Sequence, residues 1–114
     1  MQRVGFGFDC HRFEPGKPLM LAGVKVPHDA GLAGHSDGDA ALHALIDAML
    51  GAAGLGDIGA HFPDTDDRYA GADSGALLTE AVVMLAEMGW VVANADVTVV
   101  TEAPRLAEQK TAMR

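Results

Sequence analysis

The sequence predicts one small α+β domain in which strands and helices share a core. Its 114 residues match the usual size of a single domain. Apolar residues alternate with glycine between Val4 and Phe8, which is the period of a strand. Two later stretches, near residues 36–50 and 74–88, carry apolar residues at helical spacing. Because 49% of the chain is apolar and only 5% is aromatic, small aliphatic residues must fill the core.

The first quarter of the chain predicts two extended segments. Val4–Phe8 forms the first strand, and its glycines leave one face open to a ligand or a neighbouring backbone. Residues 19–26 form the second segment, which Ala22-Gly23 interrupts as a bulge or tight turn and Pro27 ends.

The first helix is expected to begin at Ser36, a good N-cap residue. Asp39 lies three residues further on, in a pattern close to a capping box. The predicted core stripe of this helix consists of Leu42, Leu45, Ile46, Met49 and Leu50.

The second half of the chain predicts a functional loop, two helices and a strand. Residues 51–73 are rich in glycine and aspartate. A helix follows over about 74–88, and Gly89 fits the position after its end. Residues 90–101 alternate like a strand, and Pro104 suits the first turn of a third helix.

Charge and composition exclude several classes of protein. The net charge of −8 argues against a surface for nucleic acid or for an anionic membrane. No apolar run reaches the roughly 18 residues of a membrane span, and the first residues lack the apolar run of a signal peptide. Cys10 is the only cysteine, so no intrachain disulfide can form. We therefore expect a soluble protein of a reducing cytoplasm.

Asp9-Cys10-His11 at the end of the first predicted strand suggests a metal site together with His43 of the first helix. One carboxylate and two imidazoles suit a divalent ion such as zinc, and three protein ligands leave an open position, as in catalytic sites. Each motif alone is more often a capped turn or a rim histidine. The combination favours a metal, because the strand end and the helix start could converge. Alternation turns Cys10 away from the candidate ligands, which predicts a small buried residue.

Other polar residues have both a functional and a structural interpretation. His35 could be a third ligand, a general acid or base, or only the residue before the N-cap. Asp37 and Asp39 could support a ligand histidine or supply favourable charge to the first helical turn. Residues 62–66 could be an ordinary turn. Residues 101–105 could be strand, cap and helix start, or could offer free N–H groups to a phosphate or a base carbonyl.

Several short motifs occur here together, in the order known from one enzyme family. They are Gly7 to His11, His35 to Asp39, Leu42 to Ala44, Gly56 to Gly59, Phe62 to Asp66, Gly71 to Ser74 and Ala103 to Arg105. Through them the chain resembles the 2-C-methyl-D-erythritol 2,4-cyclodiphosphate synthases of the non-mevalonate isoprenoid pathway. The resemblance covers essentially the whole chain, and the combination of motifs is highly specific.

The resemblance implies a fold and a reaction. The fold is a mixed β-sheet with helices packed on one face, assembled as a homotrimer with active sites between neighbouring subunits. In the reaction, the 2-phosphate of 4-diphosphocytidyl-2-C-methyl-D-erythritol 2-phosphate attacks the β-phosphate of the same molecule. CMP leaves and the cyclic diphosphate forms, so the enzyme would be a phosphorus–oxygen lyase.

The resemblance also implies roles for particular residues. Asp9, His11 and His43 would bind zinc or another divalent transition metal, and Mg²⁺ or Mn²⁺ would accompany the substrate diphosphate. His35 would stabilise the transition state. The implied substrate-contacting residues are Asp9, Cys10, His11, His35, Ser36, Asp57, Ile58, Gly59, Phe62, Pro63, Asp64, Thr65, Asp66, Thr101, Glu102, Ala103, Pro104, Arg105, Leu106 and Ala107. Within this set, Thr101 to Ala107 would bind the cytidine portion from the neighbouring subunit.

Members of the resembled family continue past the third helix with a strand, a threonine-rich substrate loop and a last helix. Since the helical pattern here stops at Arg114 without a glycine cap, we expect a chain truncated at its C-terminal end. A polypeptide that ends there is expected to cyclise little substrate. Cys10 stands where an aliphatic residue is expected. The alternative function is a truncated, non-catalytic zinc-binding or interaction domain. A general metallohydrolase is less favoured, because no base for activating water is prominent.

Overall fold

The computed structural model describes residues 1–63 and 65–114. These residues form a small α+β fold, which agrees with the predicted class. The strands are β1 (Phe13–Pro15), β2 (Leu19–Leu21), β3 (Val24–Val26) and β4 (Ala30–Leu32), and the helices are α1 (Ala40–Ala52), α2 (Ile58–His61), α3 (Ser74–Glu87) and α4 (Lys110–Met113). Short 3₁₀ helices cover Asp67–Tyr69 and Ala107–Gln109.

The strands form two antiparallel pairs. β1 pairs with β4, and β2 pairs with β3 so that Leu19 lies opposite Val26. The β2–β3 hairpin confirms the predicted extended segment with a turn at Ala22 and Gly23, whose φ angles are 52° and 78°. Glycine adopts this left-handed conformation readily, whereas alanine does so rarely. The pair β1–β4 has no counterpart in the sequence prediction.

The predicted mixed sheet is wrong for the described residues, because neither residues 4–8 nor residues 90–101 join a ladder. Period-2 alternation identifies the two faces of a segment, but it does not supply a backbone partner. The glycine face of the N-terminal segment packs instead on α1, where a Cβ on Gly7 would lie 1.9 Å from the Ala44 carbonyl oxygen. The opposite face, with Val4 and Phe6, is exposed.

Helix α1 begins at Ala40, so the predicted N-cap at Ser36 is wrong. The reason is Gly38, whose φ of +75° takes the chain out of the helical path just before Asp39. A Cβ at Gly38 would also lie 2.2 Å from the Leu32 carbonyl oxygen. Asp39 is the N-cap, and its carboxylate accepts the Leu42 N–H at 3.1 Å.

Two apolar clusters on either side of α1 form the core. The larger cluster fills the space between α1 and α3, where Ile46, Met49 and Leu50 of the predicted α1 stripe are buried. Its buried residues are Ile46, Met49, Leu50, Ala53, Phe62, Leu77, Ala81 and Leu85. The smaller cluster lies beneath the hairpin and contains Leu19, Leu21, Val26, Leu32 and Ala41. Gly89 has a φ of +83° directly after the α3 C-cap, as predicted.

The third predicted helix is shorter than expected. No α-helix begins at Pro104, and α4 covers only Lys110–Met113 after a 3₁₀ turn. The residues at the two N-cap positions, Leu106 and Gln109, make no side-chain capping hydrogen bond. The first N–H groups of such short helices therefore gain no side-chain partner from the cap. Among the described helices, none combines the length and apolarity needed to cross a membrane.

Candidate metal centre and adjoining pocket

Asp9, His11 and His43 converge in the structure, as the sequence predicted. Each offers one ligand atom, and these atoms lie within 4.8 Å of one another. Asp9 Oδ2 lies 2.7 Å from His11 Nε2 and 3.3 Å from His43 Nδ1. The loop before β1 supplies the carboxylate and one imidazole, and α1 supplies the other imidazole.

In both histidines, the ring nitrogen that does not face Asp9 contacts another polar group. His11 Nδ1 donates to the carbonyl oxygen of Ala33, which leaves Nε2 facing Asp9. His43 Nε2 lies 2.8 Å from Ser74 Oγ, which leaves Nδ1 facing Asp9. Metal-binding histidines in proteins usually show this arrangement. The donor set therefore fits a divalent transition metal such as zinc.

The carboxylate of Asp9 is held in its ionised form. Burial raises the pKa of Asp9, but the contact with the His43 ring and the charge of His11 together outweigh this effect. The pKa of Asp9 consequently lies below its ordinary value. An ionised carboxylate is the state that a metal ligand requires at neutral pH.

A cleft of about 370 Å³ adjoins the three side chains. It brings together residues from the strand loops, from α1 and from the segment around α2. Its walls are His11, Gly34, His35, Ser36, His43, Ile58, Gly59, Phe62, Pro63 and Leu77. Most of these side chains are among the substrate-contacting residues that the resemblance implied. The cleft is open on one side, so a small anionic molecule can reach the metal-facing atoms.

Two aspartates hold the wall of the cleft that contains Ile58. Asp57 is the N-cap of α2, and its Oδ1 accepts the Ala60 N–H at 2.9 Å. Asp47 of α1 accepts the Ile58 N–H at 2.7 Å. Both carboxylates position backbone, which is a role that the substrate-contact prediction for Asp57 did not include.

The following loop is only partly in the cleft. Phe62 and Pro63 line it, whereas Thr65 is exposed. Asp66 forms a 2.7 Å ion pair with Arg68, and hydrogen bonding from Arg68 lowers the pKa of Asp66. Asp64 lies outside the described residues.

The segment that contains His35 is held from both sides. His35 Nε2 lies 3.0 Å from the Asp66 carbonyl oxygen, and the His35 carbonyl oxygen accepts the Gly71 N–H at 2.7 Å. On the other side, Lys17 Nζ donates to the carbonyl oxygen of Ser36 at 3.2 Å. His35 is not one of the three converging side chains. Its ring lines the cleft instead, and since Nε2 donates to the Asp66 carbonyl oxygen, the ring can donate from Nδ1 to a bound anion as an imidazolium.

The predicted cytidine-contacting segment lies elsewhere. Thr101 to Pro104 line a second cavity of about 470 Å³, which they share with Asp9, Cys10 and His11. Leu106 packs against the smaller apolar cluster, and Arg105 and Ala107 are exposed. Cys10 is exposed, so its prediction as a buried residue is wrong. No ladder among the described residues covers this part of the N-terminal segment.

Sequence reasoning missed two residues that support the site. Local patterns give no signal for Lys17, and they indicate Ser74 only as the start of a helix. Ser74 Oγ lies 2.5 Å from Asp37 Oδ1, which gives Asp37 the supporting role left open for it. The family motif Gly71 to Ser74 was the available signal. The contact between Ser74 and His43 spans 31 positions, so local patterns do not predict it.

Fold and site together define a small α+β domain with one candidate metal centre beside an anion-sized cleft. The model of the YgbB family matches residues 2–114, and the chain belongs to this family. It is 60% identical over 114 residues to the 2-C-methyl-D-erythritol 2,4-cyclodiphosphate synthase of Methylococcus capsulatus, with 100% of this chain and 72% of that relative covered.

Solved structures agree with this assignment. A CDP-bound form of a 2C-methyl-D-erythritol-2,4-cyclodiphosphate synthase matches with a TM-score of 0.90 and 45% identity, over 97% of this chain and 74% of the other. The bifunctional IspDF from Campylobacter jejuni matches with a TM-score of 0.92 and 47% identity, over 97% of this chain and 30% of the other. The resemblance deduced from the motifs is confirmed.

Proposed function

We propose that the protein is a metal-dependent cyclodiphosphate synthase. It would convert 4-diphosphocytidyl-2-C-methyl-D-erythritol 2-phosphate into 2-C-methyl-D-erythritol 2,4-cyclodiphosphate and CMP, as a phosphorus–oxygen lyase of isoprenoid precursor biosynthesis. The observation that carries the proposal is the convergence of Asp9, His11 and His43 beside the cleft, in a chain 60% identical to a protein of that name. A related structure with CDP bound adds support for a cytidine diphosphate ligand.

The chain's own residues would act mainly by positioning and by stabilising charge. An oxygen of the 2-phosphate forms a bond to the β-phosphorus while the bond from that phosphorus to the CMP oxygen breaks. This intramolecular step needs the substrate to be folded back on itself, and a cleft whose α2 wall is held by the carboxylates of Asp47 and Asp57 favours that geometry. His35, at the rim of the cleft, would donate a hydrogen bond to the transferring group.

The implied cations would complement these side chains. A zinc or related ion at Asp9, His11 and His43 would supply Lewis-acid charge to a phosphate oxygen, and Mg²⁺ or Mn²⁺ would neutralise the diphosphate. Cations of this kind reconcile a net charge of −8 with a highly anionic substrate.

The substrate would span two groups of residues. His35 and Ser36 would contact the methylerythritol phosphate end, and residues 57–59 and 62–66 would provide further contacts. Residues 101–107 would hold the cytidine portion from a neighbouring subunit. In one chain, residues 101–104 line a different cavity from the cleft, which is compatible with this arrangement.

We propose a homotrimer as the assembly. Support comes from apolar side chains that a single chain leaves uncovered: Val4, Phe6 and Val100 are 94%, 87% and 93% exposed. Apolar patches of this kind generally mark association surfaces. The acidic charge gives no reason to expect a nucleic acid or a membrane as partner. A single cysteine, exposed in the structure, is compatible with a reducing cytoplasm.

The proposal is tested by incubating the protein with the cytidine diphosphate substrate, Zn²⁺ and Mg²⁺. Phosphorus NMR should show CMP and the cyclic diphosphate appearing in equal amounts, with little of either from a His43→Ala variant. CMP together with a linear bisphosphate would instead identify a hydrolase. Zinc binding without release of CMP would favour the non-catalytic zinc-binding domain.

A further inference from the structure

We propose that Ser74, oriented by Asp37, fixes His43 in the tautomer whose Nδ1 can bind a metal ion. Ser74 would thus be a positioning residue for the metal centre. This inference rests on the proposed metal site at Asp9, His11 and His43, and it concerns a residue that does not itself reach the metal-facing atoms.

The geometry of Ser74 is set entirely by the protein interior. Ser74 is the first residue of α3, and its solvent exposure is 0%. Its N–H donates to Asp37 Oδ2 at 2.9 Å, and its Oγ lies 2.5 Å from Asp37 Oδ1. The same Oγ lies 2.8 Å from His43 Nε2. Ser74 therefore stands between a carboxylate and an imidazole, with both contacts at hydrogen-bond distance.

The direction of these hydrogen bonds follows from the chemistry of the groups. An ionised carboxylate can only accept, so the single hydroxyl proton of Ser74 points at Asp37. Towards His43, the Ser74 oxygen can then only accept a hydrogen bond. His43 Nε2 must therefore carry a proton and donate it to Ser74 Oγ. In the neutral imidazole, the contact with Ser74 thus places the lone pair on Nδ1. Asp9 Oδ2, which lies 3.3 Å from Nδ1, favours a proton there instead, but the contact with Ser74 is the shorter of the two, at 2.8 Å. Nδ1 is the nitrogen that faces the other two candidate ligands.

The neighbouring hydroxyl of Ser36 cannot make this selection. Ser36 Oγ lies 3.1 Å from His43 Nε2 and receives the Gly38 N–H at 3.4 Å. Among the described hydrogen bonds, none ties the Ser36 proton to a carboxylate. This hydroxyl can therefore donate to Nε2 or accept from it, and it favours neither tautomer.

The two candidate histidine ligands differ in how they are supported. His11 donates to the backbone carbonyl of Ala33, which a side-chain substitution does not remove. His43 of α1 depends on a side chain of α3, so the docking of these two helices is coupled to the metal centre. Removing the outer partner of a metal-binding histidine typically weakens metal binding about 10- to 100-fold.

The test compares Ser74→Ala with the parent protein and with a matched control. Thr79→Ala removes a hydroxyl from the same helix that bonds only to the Gly75 carbonyl in the described contacts. Ser74→Thr retains the hydroxyl at the position itself. Zinc affinity is measured by competition with a chelator, and the tautomer of His43 is read from long-range ¹H–¹⁵N NMR spectra of the metal-free proteins. Working near pH 8.5, about two units above the ordinary histidine pKa, keeps free imidazoles neutral.

We expect Ser74→Ala to bind zinc about 10- to 100-fold more weakly and to show a mixture of His43 tautomers. The parent protein, Thr79→Ala and Ser74→Thr should show Nε2–H and bind zinc tightly. A His43 tautomer unchanged in Ser74→Ala would overturn the inference even if zinc affinity falls, because the loss would then reflect structural damage.

A parent protein that binds no zinc would overturn the proposed metal site, while its metal-free spectra would still decide the role of Ser74. If Ser74→Ala does not fold, Nδ1–H in the parent spectrum is itself sufficient to overturn the inference.

Discussion

Replacing Asp39 by alanine should destabilise the fold much more than the loss of an ordinary helix cap. The Asp39 side chain is fully buried, and its carboxylate accepts three backbone N–H groups. One belongs to Leu42 in the first turn of α1, at 3.1 Å. The other two belong to Ala22 and Gly23 in the left-handed turn of the hairpin, at 2.9 and 2.7 Å. A single side chain thus joins the hairpin to the helix that carries His43.

The expected magnitude follows from these three bonds. Loss of an N-cap costs about 1 kcal/mol. Each partly buried N–H left without its acceptor adds roughly 1 kcal/mol, the low end of the usual cost. Asp39→Ala should therefore lower the free energy of unfolding by about 3 kcal/mol in total. For a domain of this size, the melting temperature should fall by about 10 °C.

Asp73→Ala is the matched control. Asp73 is also an N-cap aspartate, but its exposed carboxylate accepts only the Gly75 N–H, at 2.9 Å, in the described contacts. Its removal should cost only about 1 kcal/mol. Urea unfolding followed by circular dichroism measures both variants, and the slopes should be unchanged. Equal losses in the two variants would show that the bonds from Asp39 to the hairpin turn contribute nothing to stability.

Three further predictions concern the backbone packing and the metal centre. Gly7→Ala should lower the free energy of unfolding by about 1–3 kcal/mol, because its Cβ would meet the Ala44 carbonyl oxygen at 1.9 Å. Gly51→Ala should raise it by about 0.5–1 kcal/mol, because Gly51 lies within α1 with open space around it. A higher melting temperature for Gly7→Ala than for Gly51→Ala would contradict this. In the metal-free protein, the lowered pKa of Asp9 means that its carboxylate contributes stability above pH about 4, which is lost as the pH falls through its lower folded-state pKa. Urea titrations of the parent and of Asp9→Asn should therefore converge towards acid pH, and a constant gap would refute the assignment. Zinc at about 100 times its Kd should stabilise the parent by about 2.7 kcal/mol in calorimetry, and an equal rise in His43→Ala would argue against the site.

Local patterns predicted α1, α3 and the pairing of Asp9 with His11, because helix faces and a two-residue separation are short spacings. The apolar stripe of α1 buries Ile46 and Leu50, and that helix face also fixes where His43 points. Asp9 and His11 are two positions apart in the loop before β1, so the position of that loop brings both side chains to the site. The family motifs then added an activity that no spacing rule contains.

Long-range partners set the features that sequence reasoning missed. The N-cap of α1 is Asp39 and not the predicted Ser36, because Gly38 passes close to the Leu32 carbonyl oxygen. That contact joins two separate elements. Ser74 reaches His43 only after α3 has packed on α1. Segments that alternate in sequence, such as residues 4–8, show no ladder because alternation does not specify a pairing strand.

The most direct test of the metal centre is an anomalous difference map at the zinc absorption edge from crystals grown with Zn²⁺. We expect one strong peak about 2.0–2.2 Å from a carboxylate oxygen of Asp9, from His11 Nε2 and from His43 Nδ1. No peak between these atoms, or a peak bound through His43 Nε2, would contradict the proposed metal centre.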